Sequence, residues 1–462
     1  MQIIKSLLLG VMLAALITAI PLSSSTEGLN AQECTTIVAL ENATSDGSVL
    51  LAKNRDLSEF ELQWLYYSPR THHPPGSRVK LQYINIPQAP TSWAWVGAKS
   101  YTKKWGAGMG INEWGLAIAS NDAPTKETLE GKKGLHDNDV ARLVLETTKN
   151  PREGVELIGR LITWWGHSDT GEIYTLANST EAWIVEAAGR HWVAVKVRDF
   201  KVIANQFQIT TDWDLASGDL VEYAIAQGWC ESEEEFDFAR CYSPEGYPFL
   251  SSQTRIKRGL ELLEPKLGKI CPEDLMEVLR DHYEGTNLYQ YPPHENPNYR
   301  TICINRTCSS MVCHLRPWLP RQLQLMWYSH CSPCESVFVP VYAGTTEIPE
   351  SWRSGHGGDG WANCTSDSAW WRFEQLQHFI DENYMERQPG VRKKWDQFYQ
   401  NELTQSQSLE KKVEGMLRRG RTQKAEAEIN KFVNENLEQA FEEVKSLTPE
   451  ISEEVIFAFC FP

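Results

Sequence analysis

An apolar leader followed almost at once by the run Cys34-Thr35-Thr36-Ile37-Val38-Ala39 constrains this chain more than any other feature. Lys5 gives a short positive start, Leu7 to Ile20 is almost wholly apolar, and Ser23 to Thr26 are small and polar. This order predicts a secretory leader cut after Ala31 or among Ser23 to Ser25, with trimming through Glu33 making Cys34 the first residue. A chain processed in that way starts with one residue that carries both a thiol and a free α-amino group. The unperturbed amine titrates at about 7.7 to 8.0 and the thiol near 8.5, so one residue would hold nucleophile and base. That pairing is sufficient for amide hydrolysis. The alternative is that Cys34 is an ordinary disulfide cysteine near a processed end.

At 462 residues the chain exceeds the usual limit of about 250 to 300 residues for a single core. The expected organisation is residues 1–33 as leader and short propeptide, 34–365 as a catalytic domain, and 366–462 as a helical extension packed on it. A net charge of −16 with no basic block excludes nucleic acid as a partner, since phosphate binding needs clustered Lys and Arg. After the leader, no stretch reaches about 18 uncharged apolar residues, so no membrane span is expected. Eleven cysteines behind a secretory leader predict up to five disulfides with Cys34 left free. Cys331-Ser332-Pro333-Cys334 has a ligand-like spacing. The gaps to Cys303, Cys308 and Cys313 are not those of a structural zinc site, and no His-Glu-x-x-His helix is present, so disulfides are favoured and no metal or organic cofactor is expected. No thioredoxin-like βαβ pattern supports a redox role for the same pair. Sequons at Asn42, Asn178, Asn305 and Asn363 agree with a secretory route leading outside the cell or to a lysosome-like lumen.

Thr36 to Ala39 and Val49 to Ala52 read as a hairpin around Ser45-Asp46-Gly47-Ser48, with Cys34 at its mouth. Strand-like segments follow at Ser92 to Gly97 and Gly115 to Ser120. Asn138 and Asp139 are expected to cap one helix, and Asn150-Pro151 to start the next. Ala182 to Ala187, Trp192 to Val197 and Val202 to Phe207 read as a three-stranded meander. Strands, helices and strands again predict a layered α+β fold. Ser354 to Gly360 reads as a flexible loop. Beyond Ser368, apolar residues from Leu409 to Val444 recur at three- and four-residue steps, a stripe that packs on the catalytic body or, as the lesser expectation, on a second subunit of a homo-oligomer.

Lys53-Asn54-Arg55-Asp56, Gly110-Ile111-Asn112-Glu113 and Ile203-Ala204-Asn205-Gln206 stand at the ends of these strands, where a thiol hydrolase needs a cation and oxyanion donors. With Cys34-Thr35-Thr36, Glu181-Ala182-Trp183-Ile184-Val185-Glu186 and Leu315-Arg316-Pro317-Trp318-Leu319-Pro320, they resemble the dipeptidase A and secernin family of N-terminal nucleophile hydrolases. The resemblance runs over most of the chain from Cys34. It implies an αββα sandwich, with Cys34 as nucleophile and its α-amino group as base. It further implies that Asp56 holds the amine, that Lys53 or Arg55 faces the sulfur, that Asn112 and Asn205 hold the oxyanion, and that Arg316 is a second cation near the substrate. The implied substrate is a small peptide. An N-acyl amide hydrolase of the same fold and a non-catalytic disulfide-rich binding protein are the competing readings.

Overall fold

The computed structural model describes residues 34–57, 61–100, 105–129, 133–168, 170–296, 298–355 and 365–448. The leader, Cys364, Cys460, the Asn363 sequon and most of the glycine-rich loop lie outside these residues. Along the chain, strands β1 (Thr35–Ala39) and β2 (Val49–Asp56) form the expected hairpin. They are followed by β3 (Gln63–Ser68), β4 (Trp95–Ser100), β5 (Met109–Asn112), β6 (Ala117–Ala123), β7 (Gly171–Ala177), β8 (Ala182–Ala188) and β9 (His191–Lys196). Then come β10 (Phe200–Ile203), β11 (Leu215–Ala216), β12 (Thr307–Leu315), β13 (Leu325–His330) and β14 (Val339–Tyr342). These strands build a six-stranded sheet in the order β10-β1-β2-β12-β13-β14 and an eight-stranded sheet in the order β11-β9-β8-β7-β6-β5-β4-β3.

The two sheets stack, β1 and β2 lying on β6 and β7. Helices α1 (Asp137–Thr147) and α2 (Pro151–Trp165), between β6 and β7 in the chain, cover the outer face of the eight-stranded sheet. The short helices α3 (Leu220–Ala226) and α4 (Phe238–Tyr242) precede α5 (Leu250–Leu263) and α6 (Pro272–Leu279), which cover the other sheet at β10, β2 and β12. The molecule is an αββα sandwich of the α+β class. Both faces of the central strands are therefore covered, and β6 shows it in sequence: Ala117 and Ala119 face one core, Ile118 the other, so the strand reads as apolar on both sides. Helices α7 (Ala369–Asp381), α8 (Tyr384–Arg418) and α9 (Thr422–Leu447) pack against β13 and β14.

Local sequence accounts for several of these boundaries. Asn150 Oδ1 accepts the Glu153 amide at 2.9 Å with Pro151 in the first turn, the capping arrangement its sequence predicts. The first helix departs from expectation: its cap is His136, and Asp139 is the third residue of a capping box, so an imidazole nitrogen does what Asn138 was expected to do. The meander fails at its third strand. After β9 the chain crosses to the six-stranded sheet and pairs with β1, Thr36 opposite Ile203, while β11 takes the place beside β9. Among the described residues no disulfide joins two cysteines. Cys313, for example, sits inside β12, with no other cysteine opposite it in the register.

Candidate active site

Register places Cys34. Thr36 pairs with Lys53 and Thr35 with Asn54, and continuing that ladder puts Cys34 opposite Arg55. Side chains alternate along a strand, so Cys34, Thr36, Lys53 and Arg55 share the face turned to the other sheet. Lys53 Nζ donates to the Ser120 carbonyl of β6, and Thr36 Oγ1 donates to Asn121 Oδ1 at 2.6 Å. Asn54 and Asp56 point to the opposite side. Asn54 donates there to the Leu279 and Ile302 carbonyls at 2.8 and 3.0 Å.

Two side chains hold the Cys34 backbone. Its backbone N–H donates to Asn205 Oδ1 at 2.9 Å, and its carbonyl accepts from Arg255 Nη1 at 2.7 Å. Arg255 also donates to Thr35 Oγ1 at 3.1 Å and to Asn205 Oδ1 at 3.0 Å. Asn205 in turn donates through Nδ2 to the Asp122 carbonyl at 2.8 Å, which joins the two sheets at this end. Burial pushes the Cys34 thiol above its ordinary range, Lys53 opposes that rise, and the charges of Asp56 and Asp122 add to it. Lys53 is thus the cation nearest the sulfur in effect. Arg55 reaches past it to Asn138 Oδ1 at 3.0 Å, lying over Gly108, where an added Cβ would fall 1.3 Å from its guanidinium.

Reach of Arg255 depends on a close helix-to-sheet contact. Ser252, Arg255, Gly259 and Leu263 form the buried stripe of α5. A Cβ on Gly259 would lie 2.7 Å from Val202 Cγ1, so only glycine lets the helix seat on β10 at this depth. Arg255 is fully buried. No separate signal in the sequence distinguishes it from the neighbouring arginines except its place among the small residues of that stripe.

A carboxylate group lies at the same end. Asp122 and Glu172 are cross-strand neighbours on β6 and β7, and with Asp137 at the start of α1 their oxygens lie within 4.8 Å of one another. Burial, then the Asp137 charge, raises Asp122 to about 7. Burial followed by the charges of Asp122 and Asp137 drives Glu172 well above the carboxylate range. Burial acts the same way on Asp137, but the adjacent His136 outweighs it and holds this carboxyl low.

Not every expected residue stands here. Asp56 does not bond the Cys34 nitrogen; its carboxylate is taken by Arg300 and by Thr307 Oγ1 at 2.6 Å, because alternation turns it to the helix side. Asn112 lies at the far end of β5. Its Nδ2 donates to the Leu145 and Thr148 carbonyls at 3.0 and 2.8 Å, and its Oδ1 accepts from Trp114 and Leu116. With Ile111 opposite Ala117, Asn112 is some six residues along the ladder from Asp122, about 20 Å by strand rise. Arg316 is also at the wrong end: it follows Leu315, which pairs with Val49, and it forms an ion pair with Glu410 at 2.7 and 2.9 Å. Sequence reasoning did not single out Arg255, Asp122, Glu172 or Asn121, whose buried Nδ2 has no hydrogen-bond partner.

The model of peptidase family C69 matches residues 33–248 and 251–397. A probable dipeptidase of Latilactobacillus sakei is 24% identical over 423 residues, covering 82% of this chain and 86% of that protein. One from Salmonella dublin is 25% identical over 358 residues, covering 67% of this chain and 81% of that protein. Among solved structures, penicillin V acylase from Agrobacterium tumefaciens aligns over 67% of this chain and 86% of its own with TM-score 0.39 and 16% identity. A mutant conjugated bile acid hydrolase from Clostridium perfringens aligns over 67% and 92% with TM-score 0.40 and 13% identity.

Proposed function

This chain belongs to peptidase family C69 and is a peptide-bond hydrolase, and on that premise we propose that it is a secreted or lumenal dipeptidase whose nucleophile is Cys34 at a liberated N-terminus. The observation that carries the reading is the grip on one residue: nitrogen on Asn205, carbonyl on Arg255, sulfur beside Lys53. Such a grip serves a group that must be both base and nucleophile.

In the cycle we assign, removal of residues through Glu33 frees the Cys34 amine, which takes the thiol proton while Lys53 steadies the thiolate. Sulfur attacks the substrate carbonyl. The oxyanion is held by the unpartnered Nδ2 of Asn121, with Asn205 orienting the amine rather than serving chiefly as an oxyanion donor. Collapse expels the leaving nitrogen with the proton from the amine, and water then attacks the thioester, regenerating thiol and releasing the acid. The raised thiol makes a spontaneous thiolate scarce at neutrality, so the amine is needed as base.

The dipeptidase relatives favour dipeptides over N-acyl amides as the substrate class. The deciding experiment sequences the N-terminus of purified protein and assays free and N-acetylated dipeptides with wild type and Cys34→Ala. A Cys34 start, loss of all hydrolysis in the variant and preference for free dipeptides are expected. Full activity in material still bonded to Glu33 would defeat the proposal.

A further inference from the structure

Four buried side chains outside this site converge from separate parts of the chain: His282 in the turn after α6, His294 in a short 3-10 helix (Pro293–Glu295), Cys303 before β12, and Cys334 between β13 and β14. Their ligand atoms all lie within 4.8 Å of one another. We infer that His282, His294, Cys303 and Cys334 form a structural zinc site.

Geometry fits a tetrahedral ion. With Zn–S about 2.3 Å and Zn–N about 2.0 to 2.1 Å, a nitrogen-to-sulfur edge is about 3.5 Å. His294 Nε2 lies 3.2 Å from Cys334 Sγ and 3.9 Å from Cys303 Sγ, bracketing that value. Each imidazole is also oriented from behind, as metal-bound histidines are. His294 Nδ1 is 2.9 Å from Asp381 Oδ1 of α7, and His282 Nδ1 is 2.7 Å from Glu284 Oε1. These contacts direct each Nε2 toward the sulfurs, and His282 Nε2 is buried with no hydrogen-bond partner. A pocket of about 360 Å³ lined by His282, Cys334, Tyr384 and Arg392 gives the ion a way in.

The site also answers a structural need. Between α6 and β12 the described residues form no regular structure apart from one 3-10 turn, which is long for an unanchored connection inside a folded domain. Three of the four ligands lie in that connection, and the fourth ties it to the six-stranded sheet. Four protein ligands leave no position for substrate, so the ion is structural and not catalytic. Binding deprotonates both thiols and releases two protons.

Full-length processed protein, dialysed against a weak chelator, is analysed for zinc by plasma mass spectrometry. About one zinc per chain is expected, retained in Cys34→Ala and lost in Cys303→Ser. Exchange of the zinc for Co²⁺ should give thiolate-to-cobalt charge-transfer absorption in wild type, and a strong chelator should lower its unfolding midpoint by several degrees. The wild-type measurements stand even where Cys303→Ser fails to fold. A metal-free wild type that takes up no Co²⁺ under reducing conditions would overturn the inference. So would a Cys303–Cys334 cystine found by peptide mapping of the native protein.

Discussion

Asn112 and Asn205 are the same residue type at the ends of strands, and their hydrogen bonds separate them. Asn112 spends both donors on carbonyls at the end of α1 and its oxygen on the turn between β5 and β6, whereas Asn205 spends its oxygen on the Cys34 nitrogen and Arg255. Asn112→Ala should therefore cost about 1 to 3 kcal/mol by leaving buried carbonyls unpaired, with kcat/KM per folded molecule unchanged. Asn121→Ala should lower kcat by about two to three orders of magnitude if its amide holds the oxyanion. Denaturant melts alongside initial rates decide between these, and a rate loss in Asn112→Ala exceeding that of Asn121→Ala would reverse the assignment. Asp122 carries a pH dependence. Its folded-state value of about 7 lies above the ordinary carboxyl value of about 3.9, so between the two the folded chain holds a proton the unfolded chain has lost. Stability from this group is full below the lower value and falls as pH rises through the higher. Asp122→Asn should accordingly flatten the decline in unfolding midpoint between about pH 4 and pH 7, which calorimetry at the two pH values measures.

Among the elements, α5 shows how a backbone contact controls chemistry. Gly259 sets the depth at which the helix lies on β10, and that depth decides whether Arg255 reaches Cys34 and Asn205. Gly259→Val should destabilise by about 1 to 3 kcal/mol through overpacking. It should also lower kcat more than tenfold, an effect absent from Gly218→Ala, whose added Cβ would meet nothing within 4 Å. Equal activity in Gly259→Val and wild type would show that Arg255 needs no such seating. Capping of α2 and the first hairpin were legible from Asn150-Pro151 and from two apolar runs around a turn. The strand at Phe200–Ile203 was legible as a strand but not as a member of its sheet, because alternation records which side is buried and says nothing of which neighbour supplies the hydrogen bonds.

Across the whole molecule, the C-terminal helices are tied to the six-stranded sheet by a buried ion pair. Arg316 meets Glu410 of α8, and Tyr342 Oη also donates to Glu410 at 3.0 Å. Removing one charge alone, as in Glu410→Gln, should destabilise by about 3 to 5 kcal/mol, while the double substitution Arg316→Met with Glu410→Leu should recover most of that loss. Turnover of the remaining folded enzyme should be normal in both. A selective fall in kcat in the double variant would return Arg316 to the substrate site.

From its own order the chain determined a strand led by Cys34, the hairpin that this strand opens and the charged amphipathic helices at the C-terminus. These are properties of neighbouring residues, set by periodicity and turn chemistry. Tertiary structure alone decided that Asp56 turns away from the Cys34 nitrogen, that Asn112 and Arg316 stand at the far end, that Arg255 grips Cys34, and that two histidines face Cys303 and Cys334. Each of those depends on strand register and helix seating, which bring together residues far apart in sequence through packing that no local pattern encodes.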